Sequence, residues 1–129
     1  MIMDKLLTIL YVSDQEKSTD FYQEVLQLEP TLNVPGMTEF TLFKNCKLGL
    51  MPEDGIAKII TPATAHPKTG SQIPRCEIYL SVNNPQLFID RAIKLGAKNV
   101  STLQNRDWGE KVGYTTDLDG HILAFAEKE

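Results

Sequence analysis

The order of strand-forming and helix-forming stretches repeats once along this chain, and that repeat restricts the fold more than any other feature. Leu6 to Val12 is a β-rich apolar run, followed by Ser13 or Asp14, either of which offers an oxygen to cap a helix. From Gln15 to about Leu28 the apolar residues Phe21, Tyr22, Val25, Leu26 and Leu28 recur at helical spacing among Glu16, Lys17, Asp20 and Glu24. Pro30 stops that pattern, and three short apolar pieces follow: Leu32 to Val34, Met37 to Phe43 and Lys47 to Met51, with turns at Pro35-Gly36 and Lys44-Asn45. The first half therefore reads β, α, β, β, β.

The second half repeats that order. Arg75 to Val82 reads as a strand, and Asn83-Asn84-Pro85 caps and opens a helix that runs to Leu95, with Leu87, Phe88, Ala92 and Leu95 on one side, which Gly96 ends. Lys98 to Leu103, Gly109 to Thr116 and His121 to Ala126 read as strands, the last two joined by the hairpin signal Asp117-Leu118-Asp119-Gly120. An offset of 70 lays Val12 on Val82, and one of 74 lays Lys47–Glu53 on His121–Glu127. One such half cannot cover the apolar face of its own sheet, so it needs its twin or another chain. The expected architecture is α+β: one domain of two βαβββ modules, about 4–52 and about 75–127, whose curved mixed sheets surround a cavity.

The segment 53–74, rich in Pro, Gly, Thr and Ser, is expected to be a connecting loop, with Ile56, Ile59 and Ile60 packing part of it against the rest. The 129 residues suit one domain. Thirteen basic against seventeen acidic side chains give a net charge of −4, with no dense Lys/Arg run, which argues against nucleic acid as a partner. No apolar stretch approaches the ~20 residues of a bilayer span, and no basic stretch precedes an apolar one at the start, so a cytoplasmic location is expected and no membrane partner. Cys46 and Cys76 form no Cys-x-x-Cys pair, and a disulfide between them is not expected in a reducing compartment.

The stretches LYVSDQEKSTDFYQEVLQL, CEIYLSVNNPQLFIDRAIKLGA and WGEKVGYTTDLDGHILAFAE resemble the glyoxalase/bleomycin-resistance/extradiol-dioxygenase group, the vicinal oxygen chelate superfamily. The resemblance implies paired βαβββ modules around a cavity and commonly two chains together as a homodimer. It also implies, in the enzymes, a divalent metal held by side chains from the first and last strand of each module. Carried over residue by residue, those positions fall at Leu7, at or next to Leu50, at Glu77 and at Ala124. Only Glu77 offers a metal donor, so no metal site and no cofactor are expected. His121 is read as a turn residue and His66 as a surface or pocket-lid residue.

If Leu7 and Glu77 face the cavity, strand alternation puts Ile9, Tyr11, Tyr79 and Ser81 on that same face, with Leu6, Leu10, Ile78, Leu80 and Val82 facing the helices. A cavity lined by Leu7, Ile9, Tyr11, Leu50, Tyr79, Trp108 and Ala124 is apolar and aromatic, with Glu77 as its ionisable group. Glu77 is the one candidate catalytic residue, as a general base; it could instead hold a cationic ligand, or pair with Arg75 or a tyrosine hydroxyl. Phe21, Tyr22, Phe88 and Leu95 are expected in the core. The resulting expectation is a small-molecule-binding protein that sequesters an organic ligand. The alternative is a divalent-metal lyase, isomerase or dioxygenase with unconventional ligands such as His66 or His121.

Overall fold

The computed structural model describes residues 2–128. The chain divides into two compact units: one runs to Gln23 and resumes from Gln27 to Ser71, and the other takes Glu24–Leu26 and everything from Gln72 on.

The first unit contains β1 (Leu6–Val12), α1 (Gln15–Leu26) apart from its last three residues, β2 (Leu32–Val34), β3 (Met37–Phe43), β4 (Cys46–Pro52) and α2 (Glu53–Ile60), followed by a 3-10 turn at Pro67–Gly70. Its four strands form an open sheet in the order β1-β4-β3-β2, with β1 parallel to β4 and the other neighbours antiparallel. Asp14 caps α1 by accepting from the Lys17 amide at 3.0 Å. The helix ends before Pro30 acts, at Gln27, which takes a left-handed conformation. Gln15 ties α1 to the β2–β3 turn: its amide donates to Val34 O and Thr38 Oγ1, and its carbonyl accepts from Gly36 N. Thr19 and Thr38 share a buried hydrogen bond of 2.8 Å, which places Thr38 and the residues of its parity on the α1 side of the sheet. Leu10, Val12, Phe40, Leu48 and Leu50 form the buried layer there.

The second unit repeats the pattern with β5 (Glu77–Val82), α3 (Pro85–Lys94), β6 (Asn99–Asn105), β7 (Lys111–Thr116) and β8 (Ile122–Glu127), in the order β5-β8-β7-β6. Phe88 stacks on Phe125 with ring centroids 5.4 Å apart, and a Cβ on Gly113 would stand 2.4 Å from Ile89 Cδ1. Those contacts put Gly113, Thr115, Leu123 and Phe125 on the α3 side. Two four-stranded mixed sheets, neither closed, and three α-helices among the described residues are thus the two βαβββ modules expected.

Four local expectations require correction. The segment 53–74 is not a plain loop: Glu53–Ile60 is helical, with Glu53 and Ala57 buried, while Ile59 is 80% exposed. Glu53 and Asp54 favour the start of that helix and Lys58 its end, a charge pattern that Gly55 and the proline-rich surroundings disguise. Leu87 and Leu95 lie outward, and Pro85, Ile89 and Ala92 are the inward residues of α3, because the buried stripe lies one helical position away from the expected one. Asn84 stands at the N-cap in a left-handed conformation without a side-chain cap; Pro85 removes the first amide donor itself. The strand correspondence between modules is 75 residues on the last strand, not 74: Pro52 pairs with Val12 as Glu127 pairs with Val82.

Candidate functional site

That one-residue difference decides which side chains share a face. In a strand a slip of one residue carries a side chain through the sheet. Leu50 pairs with Leu10 and Thr38, is fully buried on the α1 side, and so does not lie beside Leu7, Ile9 and Tyr11. Gly49 is the true counterpart of Ala124. A Cβ at Gly49 would meet Ile9 Cγ1, Leu7 Cδ1 and Met37 Sδ, each at 3.3 Å, so these residues do share the face away from α1. Glu39 and Lys47 lie on it too, 3.6 Å apart. In the first unit this face is aliphatic and thioether around Gly49, with Tyr11 and the Glu39–Lys47 pair also on it.

The corresponding face of the second unit carries more chemistry. Glu77, Tyr79 and Ser81 of β5 share it with Ala124 and Ala126 of β8 and with Val112 and Tyr114 of β7. Val112, Ala124 and Ala126 are fully buried and form a core cluster beneath it, with Tyr114 packed against them. Ala124 pairs with Tyr79 across β5 and β8.

Three side chains at this face are linked. Tyr79 donates its hydroxyl proton to a Glu110 carboxylate oxygen, and the Trp108 indole N–H donates to the same phenolic oxygen at 3.0 Å. Trp108 and Glu110 sit on the β6–β7 turn, closed by Arg106 N to Glu110 O at 2.8 Å and Gly109 N to Arg106 O at 3.0 Å. Gly109 has a φ of +93°, which favours a glycine there. The Arg106 guanidinium lies 5.1 Å from the Tyr114 ring centre and donates from Nε to Val112 O and from Nη2 to Ser101 Oγ and Thr102 O, which helps to hold the turn.

Partial desolvation, and then the proton's hydrogen bond to Glu110, raise the Tyr79 pKa above the ordinary phenol value, against the opposing pull of Trp108. Desolvation raises that of Tyr114 as well, and the negative charges of Glu77 and Glu110 add to it, with Arg106 opposing. Glu77 itself is exposed and is not paired with Arg75 or with a tyrosine hydroxyl: Arg75 donates to Ile73 O and to His121 Nε2, and Tyr79 gives its proton to Glu110. Glu110, Tyr114 and Arg106 are the site residues that sequence reasoning missed. The antiparallel pairing of Tyr114 with Ala124 is the signal that would have found Tyr114; the Glu110–Tyr79 bond spans 31 residues and left no local mark.

The histidines are engaged elsewhere. His121 is buried, with Nδ1 2.7 Å from Asp117 Oδ2 and Nε2 2.8 Å from Arg75. His66 accepts from the Lys68 amide at Nδ1 and contacts Asp54 through Nε2 at 3.1 Å. Both ring nitrogens of each are in use. The metal positions implied by the family resemblance hold Leu7 and Gly49 in the first unit and Glu77 and Ala124 in the second. No three His, Cys, Asp or Glu among the described residues are grouped as metal ligands. One carboxylate and three apolar residues do not fit a divalent cation, which needs several N, O or S donors.

The face of each sheet opposite its helix, with one set of positions repeated on both modules, is the arrangement of the glyoxalase class. The glyoxalase-like domain model matches residues 6–128, and the chain belongs to that family. No curated protein matches it. Among solved structures, it is similar to a hypothetical protein from S. aureus (20% identity, 97% of this chain and 94% of that one, TM-score 0.79). A glyoxalase-related enzyme from Fulvimarina pelagi matches at 18% identity over 98% of this chain and 89% of that one, with a TM-score of 0.79. A bleomycin resistance determinant encoded on transposon Tn5 matches at 15% identity over 98% and 99%, with a TM-score of 0.64. At these identities the likeness is one of fold. No helix among the described residues is long and apolar enough to cross a membrane.

Proposed function

We propose that this protein is a small-molecule-binding member of the glyoxalase/bleomycin-resistance family that sequesters an organic ligand without a bound metal, working in the cytoplasm as a homodimer. The observation that carries the reading is the face of the second sheet, where Tyr114 and Tyr79, with Trp108 bonded to the Tyr79 hydroxyl, stand on a buried core of Val112, Ala124 and Ala126. Apolar and aromatic walls with a few fixed polar groups are the usual make-up of an organic-ligand site. Leu7, Ile9 and Tyr11, with Gly49 in the place given to Leu50, supply a second apolar face on the first unit. Binding there needs no nucleophile, and none of the metal positions outside Glu77 carries a donor.

A thermal-shift and calorimetric screen of aromatic and aliphatic organic compounds tests the proposal, together with elemental analysis of the purified protein. A saturable, stabilising ligand whose affinity falls in Trp108→Ala supports it. A stoichiometric Ni, Zn, Mn or Fe, with turnover that depends on it, overturns the metal-free reading. A screen with no stabilising compound overturns the binder. Sedimentation equilibrium tests the homodimer, which a monomer at all concentrations refutes.

A further inference from the structure

We propose that His121 is a pH latch on the segment leading into β5: in its neutral form it holds Arg75, and on taking up a proton it releases Arg75. The ring is buried, with Nδ1 2.7 Å from Asp117 Oδ2 and Nε2 2.8 Å from Arg75 Nη2. A guanidinium has only donors and stays charged, so Nε2 must be the acceptor of that bond. The ring proton is thereby fixed on Nδ1, where it donates to the carboxylate. Arg75 thus selects both the neutral state of His121 and its tautomer.

A proton added at Nε2 turns the acceptor into a donor that faces another donor, and sets two positive groups in contact. One of them must leave. The imidazole is held in the turn, since the His121 amide donates to Asp117 Oδ1 at 2.9 Å and its carbonyl accepts from Asp117 N at 2.8 Å. Arg75 is free to go: it and residues 71–74 before it are exposed, and its other bond, from Nη1 to Ile73 O, is local. The buried Asp117 carboxylate is balanced in both arrangements, by Arg75 through the neutral ring or by the imidazolium directly. Two arrangements of the same groups, chosen by one proton, make the element bistable. Of the other ionisable groups here, Asp119 is buried in the same turn and Glu77 is exposed just beyond the strap. Burial, and then the Asp117 charge, raise the pKa of the Cys76 thiol against the pull of Arg75, so it keeps its proton where imidazoles titrate.

The latch holds a strap of residues 72–76 against the β7–β8 turn. At one end Gln72 N donates to Asp119 O at 2.9 Å and the Gln72 side-chain amide to Leu118 O at 2.8 Å; at the other, Ile122 N donates to Cys76 O at 3.1 Å. The Arg75–His121 bond lies between these attachments, at the entrance to the strand that carries Glu77 and Tyr79. With His121 neutral the strap is tied along its length, and with His121 protonated only at its ends. The middle tie is therefore present at higher pH and lost as pH falls.

The test is NMR spectroscopy of the full-length protein between about pH 8 and about pH 5, the interval in which imidazoles change charge. Imidazole nitrogen shifts report the protonation of His121, assigned apart from that of His66. Amide exchange at Gln72 and Ile122, corrected for the intrinsic rate at each pH, reports the strap. Protonation of His121 Nε2 is expected to bring exchange about fivefold faster at Gln72 and Ile122, with Phe125 and Ala126 in the middle of β8 unchanged. Arg75→Met, at an exposed position, is expected to exchange fast at these two amides at both ends of the range, with no pH response left. The proposal is overturned by an Nε2 that takes no proton down to about pH 5, or by protonation without a change at Gln72 and Ile122. Acceleration that extends to Phe125 and Ala126, or a full pH response persisting in Arg75→Met, overturns it as well.

Discussion

Tyr79 lies between Trp108 and Glu110, accepting a hydrogen bond from the indole and donating one to the carboxylate, so a strand residue and a hairpin turn 29 and 31 positions away are held as one group. The bond partners come from β5 and from the β6–β7 turn, which reach each other across β8 in the sheet order β5-β8-β7-β6.

Removing the hydroxyl separates those roles. Tyr79→Phe leaves the indole N–H and the Glu110 carboxylate to water, and since all three side chains are partly exposed the stability cost is small, about 0.5–1.5 kcal/mol. Urea unfolding checks that figure, and the emission spectrum of Trp108 should shift toward that of a solvated indole. A loss beyond about 3 kcal/mol would mean that the cluster is structural.

The tyrosines make the molecule sensitive to alkali. Tyr79 and Tyr114 both hold their protons more tightly in the folded chain than in the unfolded one. With the folded values raised, the unfolded state loses its protons first, so this contribution is complete below about pH 10 and is lost as pH rises through the folded values. Absorbance at 295 nm should show part of the tyrosine ionisation delayed, and Tyr114→Phe should shorten the delay. A single unshifted titration of all tyrosines contradicts this.

The β7–β8 turn should be intolerant of a single methyl group. Gly120 has a φ of +92°, and a Cβ there would stand 2.6 Å from Gln72 Cα, a backbone atom that cannot step aside. Gly120→Ala is expected to cost about 1–3 kcal/mol for the backbone conformation, with the clash added. Gly55, in α2 with nothing within 4 Å of its Cβ position, provides the contrast: Gly55→Ala should stabilise by about 0.5–1 kcal/mol. Chemical denaturation of the two variants side by side decides it.

Asp117 organises the same turn, accepting from the amides of Asp119 and His121 through Oδ1 and meeting His121 Nδ1 through Oδ2. Both side chains are almost fully buried. Asp117→Ala should therefore cost about 3–5 kcal/mol, the range for breaking a buried pair by removing one partner. Asp117→Asn keeps one acceptor oxygen and should cost less. Thermal unfolding that leaves Asp117→Ala near the parent protein would refute the turn's dependence on this carboxylate.

Cys76 offers a chemical check on its surroundings. Burial raises its pKa, the Asp117 charge adds to that effect and Arg75 opposes it, leaving less thiolate at neutral pH than in a free cysteine. Alkylation of Cys76 at pH 8, followed by peptide mass analysis, should run slower than that of an unstructured cysteine peptide and accelerate in Asp117→Asn.

Much of the fold was legible because local signals agreed with it. Asp14 before an amphipathic run, Gly36 and Asn45 in left-handed turns and Gly96 after α3 each name a boundary through backbone chemistry that no distant contact alters. The site was less legible. Leu7, Ile9, Tyr11, Glu77, Tyr79 and Ala124 fell on the expected faces because strand parity is a local property, whereas Leu50 did not, since the 74-residue offset was one residue short and parity turns such an error into the wrong side of the sheet.

The amino-acid order by itself determined the element types of the two modules and the duplicated βαβββ plan, both of which depend on residue identity and short-range periodicity. Only the tertiary structure decided that Gly49 replaces Leu50 on the face, that Arg75 serves His121 rather than Glu77, and that Glu110 rather than Glu77 takes the Tyr79 proton. Those choices are competitions among partners distant in sequence, settled by strand register and by which side chain the backbone brings within hydrogen-bond reach.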